Sequence, residues 1–137
     1  MSIEWQESLA TGIENIDNQH REIFARFALF SSACSEGSGG EELLRLLDFL
    51  ANYTAVHFRE EEEAMSGAGY PELDVQKEAH AAFLADFERL KGLVEEHGPG
   101  LETVLNEKRI MIRWLINHIC HLDRAFADFL TTLPHPA

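Results

Sequence analysis

The chain has 137 residues, 45% hydrophobic and 26% charged, which is one ordinary domain's worth and a globular rather than a disordered composition. Acidic residues number 24 against 11 basic ones, a formal net charge of -13 with no basic cluster beyond the pair Lys108-Arg109, so the balance argues against a nucleic-acid partner or an anionic membrane surface. No apolar run is long enough for a bilayer and the start, MSIEWQESL, has no basic flank or apolar signal core; the expectation is a cytoplasmic protein in which Cys34 and Cys120, which form no CxxC pair, are reduced.

Helical periodicity recurs four times. After an irregular start, Asp17 is expected to cap a first helix through HREIFARFALFSSAC, with Ile23, Phe24, Phe27 and Phe30 at helical spacing. Ser35 to Gly40, SEGSGG, reads as a loop. A second helix is expected from about Glu41 to Met65, with Leu43, Leu46, Leu47, Leu50, Tyr53, Thr54 and His57 on or near one stripe, stopped by SGAGYP. Asp74 is the expected cap of a third helix, with Ala79, His80, Phe83, Leu84, Phe87, Leu90 and Val94 along it and His97-Gly98-Pro99-Gly100 as its stop. The fourth runs from about Leu101 to Thr131, and Pro134 and Pro136 follow it. Nothing reads as a strand, a repeat or a low-complexity tract. The expected fold is all-α: one domain over residues 1–137, an up-down-up-down antiparallel four-helix bundle with an irregular N-terminal arm.

Such a bundle needs no chemistry to be stable, but the histidines do not suit a purely structural core. His20, His57, His80 and His118 fall one per helix, each on or beside the apolar stripe. Antiparallel packing brings the start of one helix level with the end of the next, so the four converge at one height. Buried singly without partners, each would cost about 1–3 kcal/mol; a shared metal satisfies all of them. Glu61 lies four residues after His57, about 40° round the helix, and faces the same way. Glu60, Glu62 and Glu63 are expected on a solvated acidic face. Asp123, five residues after His118, lies about 140° round, at the edge of the stripe. Imidazoles and carboxylates without thiolate suit iron, manganese or zinc, and two carboxylates among four histidines are enough to bridge two ions. His121 is expected to face outward or to stand behind the ligands without binding metal, and His97 and His135 to be solvated.

Taken together, the motifs resemble bacterial hemerythrins over nearly the whole chain. Trp5 and Gly12-Ile13-Glu14-Asn15-Ile16-Asp17-Asn18-Gln19-His20 resemble that family's arm and first ligand. His57-Phe58-Arg59-Glu60-Glu61 resembles its HxxxE motif, followed by Met65, Gly69, Tyr70 and Pro71. His80 with Phe83 resembles the second half of its HxxxH motif, and Trp114-Leu115-Ile116-Asn117-His118 with Asp123 its HxxxxD motif. The resemblance implies two irons with a solvent-derived oxo or hydroxo bridge. His20 and His57 would hold the iron that is open to oxygen, His80 and His118 the other, and Glu61 and Asp123 would bridge them. It also implies an apolar oxygen pocket walled by Ile23, Phe58, Trp114, Leu115 and Ile119. One position departs from the family: the first histidine of HxxxH is Gln76. Gln76 shares a helix face with His80 and can ligate weakly through its carbonyl oxygen, hold a water, or leave the position open.

The function implied is reversible binding of dioxygen, or of another small diatomic molecule or anion, with no net reaction. The alternatives are a diiron redox site reacting with oxygen, peroxide or nitric oxide, and an iron-binding signalling module.

Overall fold

The computed structural model describes Trp5 and residues 7–37, 40–98 and 102–133. Pro99, Gly100 and Leu101, expected at the third connection, and Pro134, His135 and Pro136 lie outside the described residues. Among the described residues all regular structure is helical: a 3-10 turn Glu7–Leu9, then α1 Glu14–Ser35, α2 Gly40–Gly67, α3 Leu73–His97, α4 Glu102–His118, a π turn Ile119–Asp123, and α5 Arg124–Thr131. The backbone stays right-handed helical at His118, Asp123 and Arg124, so α4, the π turn and α5 form one continuous rod, the fourth of the bundle. No helix among the described residues is long and apolar enough to cross a membrane.

Cross-helix contacts establish the antiparallel order. Arg26 of α1 reaches the Phe49 carbonyl and lies over the Tyr53 ring, while His20, one and a half turns earlier, meets His57. Lys91 pairs with Asp48 at 3.4 Å, whereas His80 meets Glu62. Arg89 lies 4.0 Å from Glu107, whereas His80 meets His118. Each helix therefore runs against the one before it.

Two helix starts differ from the sequence expectation. α1 begins three residues before Asp17, at Glu14, with Ile13 in extended conformation as its cap residue. Asp17 lies buried in the first turn, and its carboxylate reaches back to the arm, accepting from the Thr11 N–H and hydroxyl (both 2.8 Å) and the Gly12 N–H (3.2 Å). It ties down the arm instead of capping the helix. α3 begins at Leu73, so Asp74 sits in the first turn and makes no cap. In both places the acidic residue meets the positive end of the helix dipole, which favours a carboxylate anywhere in the first turn. α2 ends in a Schellman arrangement: the Tyr70 N–H bonds the Met65 carbonyl and the Gly69 N–H that of Ser66. This needs Gly69 at φ 68°, a region open to glycine at little cost.

The apolar interior is divided. The larger cluster fills most of the bundle and includes Ile23, Phe27, Phe30, Leu47, Phe58, Phe83, Phe87, Leu90, Leu115 and Ile119. A smaller one joins Ile16, Met65, Tyr70 and Phe126. Between them, on every helix, lies a layer of buried polar side chains: His20 on α1, His57 and Glu61 on α2, Gln76 and His80 on α3, and His118 and Asp123 on the last rod.

Candidate metal centre

On α2 the i, i+4 spacing alone sends His57 and Glu61 to the same side. On the last rod the backbone does the work. A regular helix would leave Asp123 well round from His118, but the π turn between them closes i→i+5 bonds and stacks residues five apart. The His118 Nε2 and Asp123 Oδ1 atoms end 3.2 Å apart, so Asp123 faces the layer squarely and not from its edge.

The two carboxylates each divide their oxygens. Glu61 Oε2 lies 3.1 Å from His57 Nε2 and 3.5 Å from His20 Nε2, while its Oε1 lies 3.1 Å from His80 Nε2. Asp123 Oδ2 lies 3.2 Å from His20 Nε2, while its Oδ1 faces His118. Two overlapping sets of donors result, His20 with His57 and Glu61, and Glu61 with His80, His118 and Asp123; within each, the ligand atoms lie within 4.8 Å of one another. Gln76, fully buried, donates its amide to Asp123 Oδ1 at 3.1 Å and so belongs to the layer.

Two side chains not expected to touch the ligands hold the imidazoles from outside. Gln19 Oε1 lies 2.6 Å from His57 Nδ1, and the Gln19 amide in turn donates to Glu60. Glu62 Oε2 lies 2.7 Å from His80 Nδ1, so Glu62 is not part of a solvated acidic face. An amide oxygen and a carboxylate only accept, so both Nδ1 atoms carry the proton, and both rings direct Nε2 at the centre. Both contacts cross between helices, so periodicity along one helix does not announce them.

Burial opposes charge throughout the layer, yet the close pairing outweighs it. His20 is penalised by burial but lifted by Asp123 and Glu61 to about 9, and His80 is likewise lifted by Glu61 and Glu62. Glu61, despite its burial, is held well below the carboxylate range by His20, His57 and His80. Asp123 is lowered by His118 and His20 against both burial and the Glu61 charge.

The donor set fits divalent cations. His57 Nε2, both Glu61 oxygens and Gln76 Oε1 are buried without a hydrogen-bond partner, although several lie near enough to one another for an ion pair. Such atoms converge on shared points rather than aligning with each other, and leaving each orphaned would cost on the order of 1–3 kcal/mol. Nitrogen and oxygen donors without a thiolate match iron, manganese or zinc.

Of the five expected wall residues, Ile23, Phe58, Leu115 and Ile119 are buried in the larger cluster and Trp114 packs half-buried against it. Phe58 stacks on His80 at 3.8 Å and Trp114 on His118 at 4.6 Å between ring centroids. A recess of about 220 Å³ reaches Glu61 from elsewhere, between Ile13, Ile16, Gln19, Glu60 and Phe126. His97 and His121 are exposed, Cys34 is buried and Cys120 half-buried, and none of the four belongs to either donor set.

Comparison with known proteins gives a consistent result. Residues 11–130 match the family model of the hemerythrin HHE cation binding domain. A bacteriohemerythrin of Stenotrophomonas maltophilia (strain R551-3) is 35% identical over 128 residues, covering 90% of this chain and 78% of that protein. A myohemerythrin of Theromyzon tessulatum is 30% identical over 122 residues, covering 88% and 87%. Among solved structures, a crystallised leucine-to-tyrosine mutant of a hemerythrin superposes with a TM-score of 0.81 at 23% identity, over 93% of this chain and 97% of that one, a likeness of fold.

Proposed function

The chain belongs to the hemerythrin family, and from that premise we propose that it is a non-haem diiron protein that binds dioxygen reversibly, as a carrier, store or sensor. The observation that carries this reading is the division of Glu61 and Asp123, each with one oxygen toward His20 and the other toward His80 or His118. His20 and His57 would hold one iron, His80 and His118 the second, and the two carboxylates would bridge them. Gln76 has its amide on Asp123, so its remaining contribution to the second iron is its carbonyl oxygen. When bound, a diiron pair with a solvent-derived bridge supplies the two electrons that dioxygen takes on arrival and returns on release. The protein's part is to hold the imidazoles by Gln19 and Glu62 and to keep water away. Ile23, Phe58, Trp114, Leu115 and Ile119 would do the latter, since a dry wall denies protons and solvation to reduced oxygen species.

The test is anaerobic reconstitution with ferrous iron, iron analysis, and an optical spectrum in air and after oxygen is removed. Two irons per chain and a spectrum that returns on deoxygenation are expected. One iron or none sinks the dinuclear centre. Immediate conversion to a stable ferric form favours the second reading, a redox site reacting with oxygen, peroxide or nitric oxide. The imidazole missing at Gln76 supports that alternative. Gln76→His should then lengthen the life of the oxygenated form and slow iron loss to a chelator.

A further inference from the structure

His80 is held more completely than any other imidazole of the layer. Consecutive residues of α2 take its two nitrogens: Glu61 Oε1 lies 3.1 Å from Nε2, and Glu62 Oε2 lies 2.7 Å from Nδ1. The Phe58 ring, one turn earlier on α2, lies flat on the imidazole with 3° between the planes. The ring is therefore fixed in its own plane and across it. Among the described residues, the outer nitrogen of His57 meets a neutral amide and that of His20 meets no partner, so a carboxylate on Nδ1 sets His80 apart from both.

A carboxylate accepting the Nδ1–H of a metal-bound imidazole orients the ring and makes it a stronger donor. The ring so treated is the one that shares its helix face with Gln76, where a neutral amide stands in place of a second imidazole. We propose that Glu62 is a positioning residue for the second metal ion, strengthening His80 so that this position holds its ion without a second imidazole from α3. The inference rests on the dinuclear reading above, and it assigns Glu62 a role distinct from the bridging role of its neighbour Glu61.

The experiment titrates metal-free protein with Zn²⁺ alone against a competing chelator, and follows the His80 Nδ1–H by proton NMR in the diamagnetic zinc-loaded protein. Wild type should take two ions and show a downfield, exchange-protected Nδ1–H. Glu62→Ala should weaken the second ion by about 10–100-fold, leave the first unchanged and lose that resonance. Glu62→Gln keeps an acceptor without the charge; it should retain the resonance, shifted upfield, with an intermediate loss of affinity, and it serves if the alanine variant does not fold. Glu63→Ala, at the exposed neighbouring position, should match wild type. Two ions in wild type with unchanged second-ion affinity in both Glu62 variants, or equal loss of both ions, overturns the role of Glu62 and leaves the dinuclear centre standing. A wild type that never takes a second ion overturns both.

Discussion

An imidazole in the layer can hold a proton or a metal, and in the metal-free protein His20 holds the proton. His20, raised to about 9 from an ordinary 6.5, carries its proton at neutral pH because Asp123 and Glu61 face it. A group whose folded value is raised stabilises the fold fully below its unfolded value and loses that contribution as pH climbs through the folded one. The metal-free protein should therefore lose thermal stability between about pH 6.5 and 9, a trend read by calorimetry at several pH values. The carboxylates act oppositely: Glu61 and Asp123, both lowered, stabilise above their ordinary range and cease to do so only as pH falls through their depressed values. Metal binding must expel the histidine protons, so apparent affinity should rise over the same window in which metal-free stability falls. A pH-independent affinity would mean that His20 is neutral before the metal arrives. Asp123, expected at the edge of its stripe, is turned inward by the π turn, while the four histidines and Glu61 were legible from spacing along each helix. Gln19 and Glu62 were not, because they hold rings on other helices, and nothing in one helix's periodicity reports the rotation of its neighbour.

Among the elements, the helix interiors followed their apolar spacing and the ends did not. Asp17 and Asp74 look like caps, since the same residue types serve caps and first turns alike. What distinguishes Asp17 is its burial and three accepted hydrogen bonds from Thr11 and Gly12. The arm is held at its other end by Arg124 of α5, whose guanidinium reaches the carbonyls of Ser8 (2.7 Å) and Ala10 (3.0 Å). Trp5 then lies 6.5 Å from the His20 ring and 6.1 Å from Phe24. Asp17→Ala should cost on the order of 1–3 kcal/mol of stability, as removal of a buried acceptor of three part-buried hydrogen bonds does, read by chemical denaturation. It should also raise hydrogen exchange at the Thr11 and Gly12 amides. If exchange there is unchanged, the arm is held by Arg124 alone.

For the molecule as a whole, the polar layer is a seam. Above it the larger cluster fills most of the bundle; below it Ile16, Met65, Tyr70 and Phe126 form a patch too small to stand alone. Without metal the two parts are separated by paired charges that are costly to bury. With metal held as proposed, one centre would join all four rods. Saturating metal should stabilise the fold by about 2.7 kcal/mol at a hundredfold excess over the dissociation constant, since it binds the folded state and scarcely the unfolded one, and so raise the unfolding temperature. Removing it should loosen the small patch first, seen as faster amide exchange around Met65 and Phe126 than around Phe27 and Phe87. Uniform loosening would show that the seam transmits stability without the ion. The layer was foreseeable as a level of histidines, but the division of the core was not, because it depends on which apolar residues lie beyond that level once the helices are in register.

The π turn has a consequence for chain length. α2 delivers its histidine and carboxylate four residues apart and the last rod delivers the same pair five apart, yet both pairs face the layer. In a π turn the fifth residue takes the place that the fourth has in an α-helix, so the rod carries one residue more than its geometry requires. His121, exposed on the turn, is the removable one. A chain lacking it would set Asp123 four positions after His118 in an unbroken α-helix, with Phe126 and Ala127 still three and four beyond the carboxylate. That shortened protein should fold, bind two metal ions and show one less helical irregularity. Loss of the second ion would mean that the bulge sets the depth of Asp123 as well as its direction.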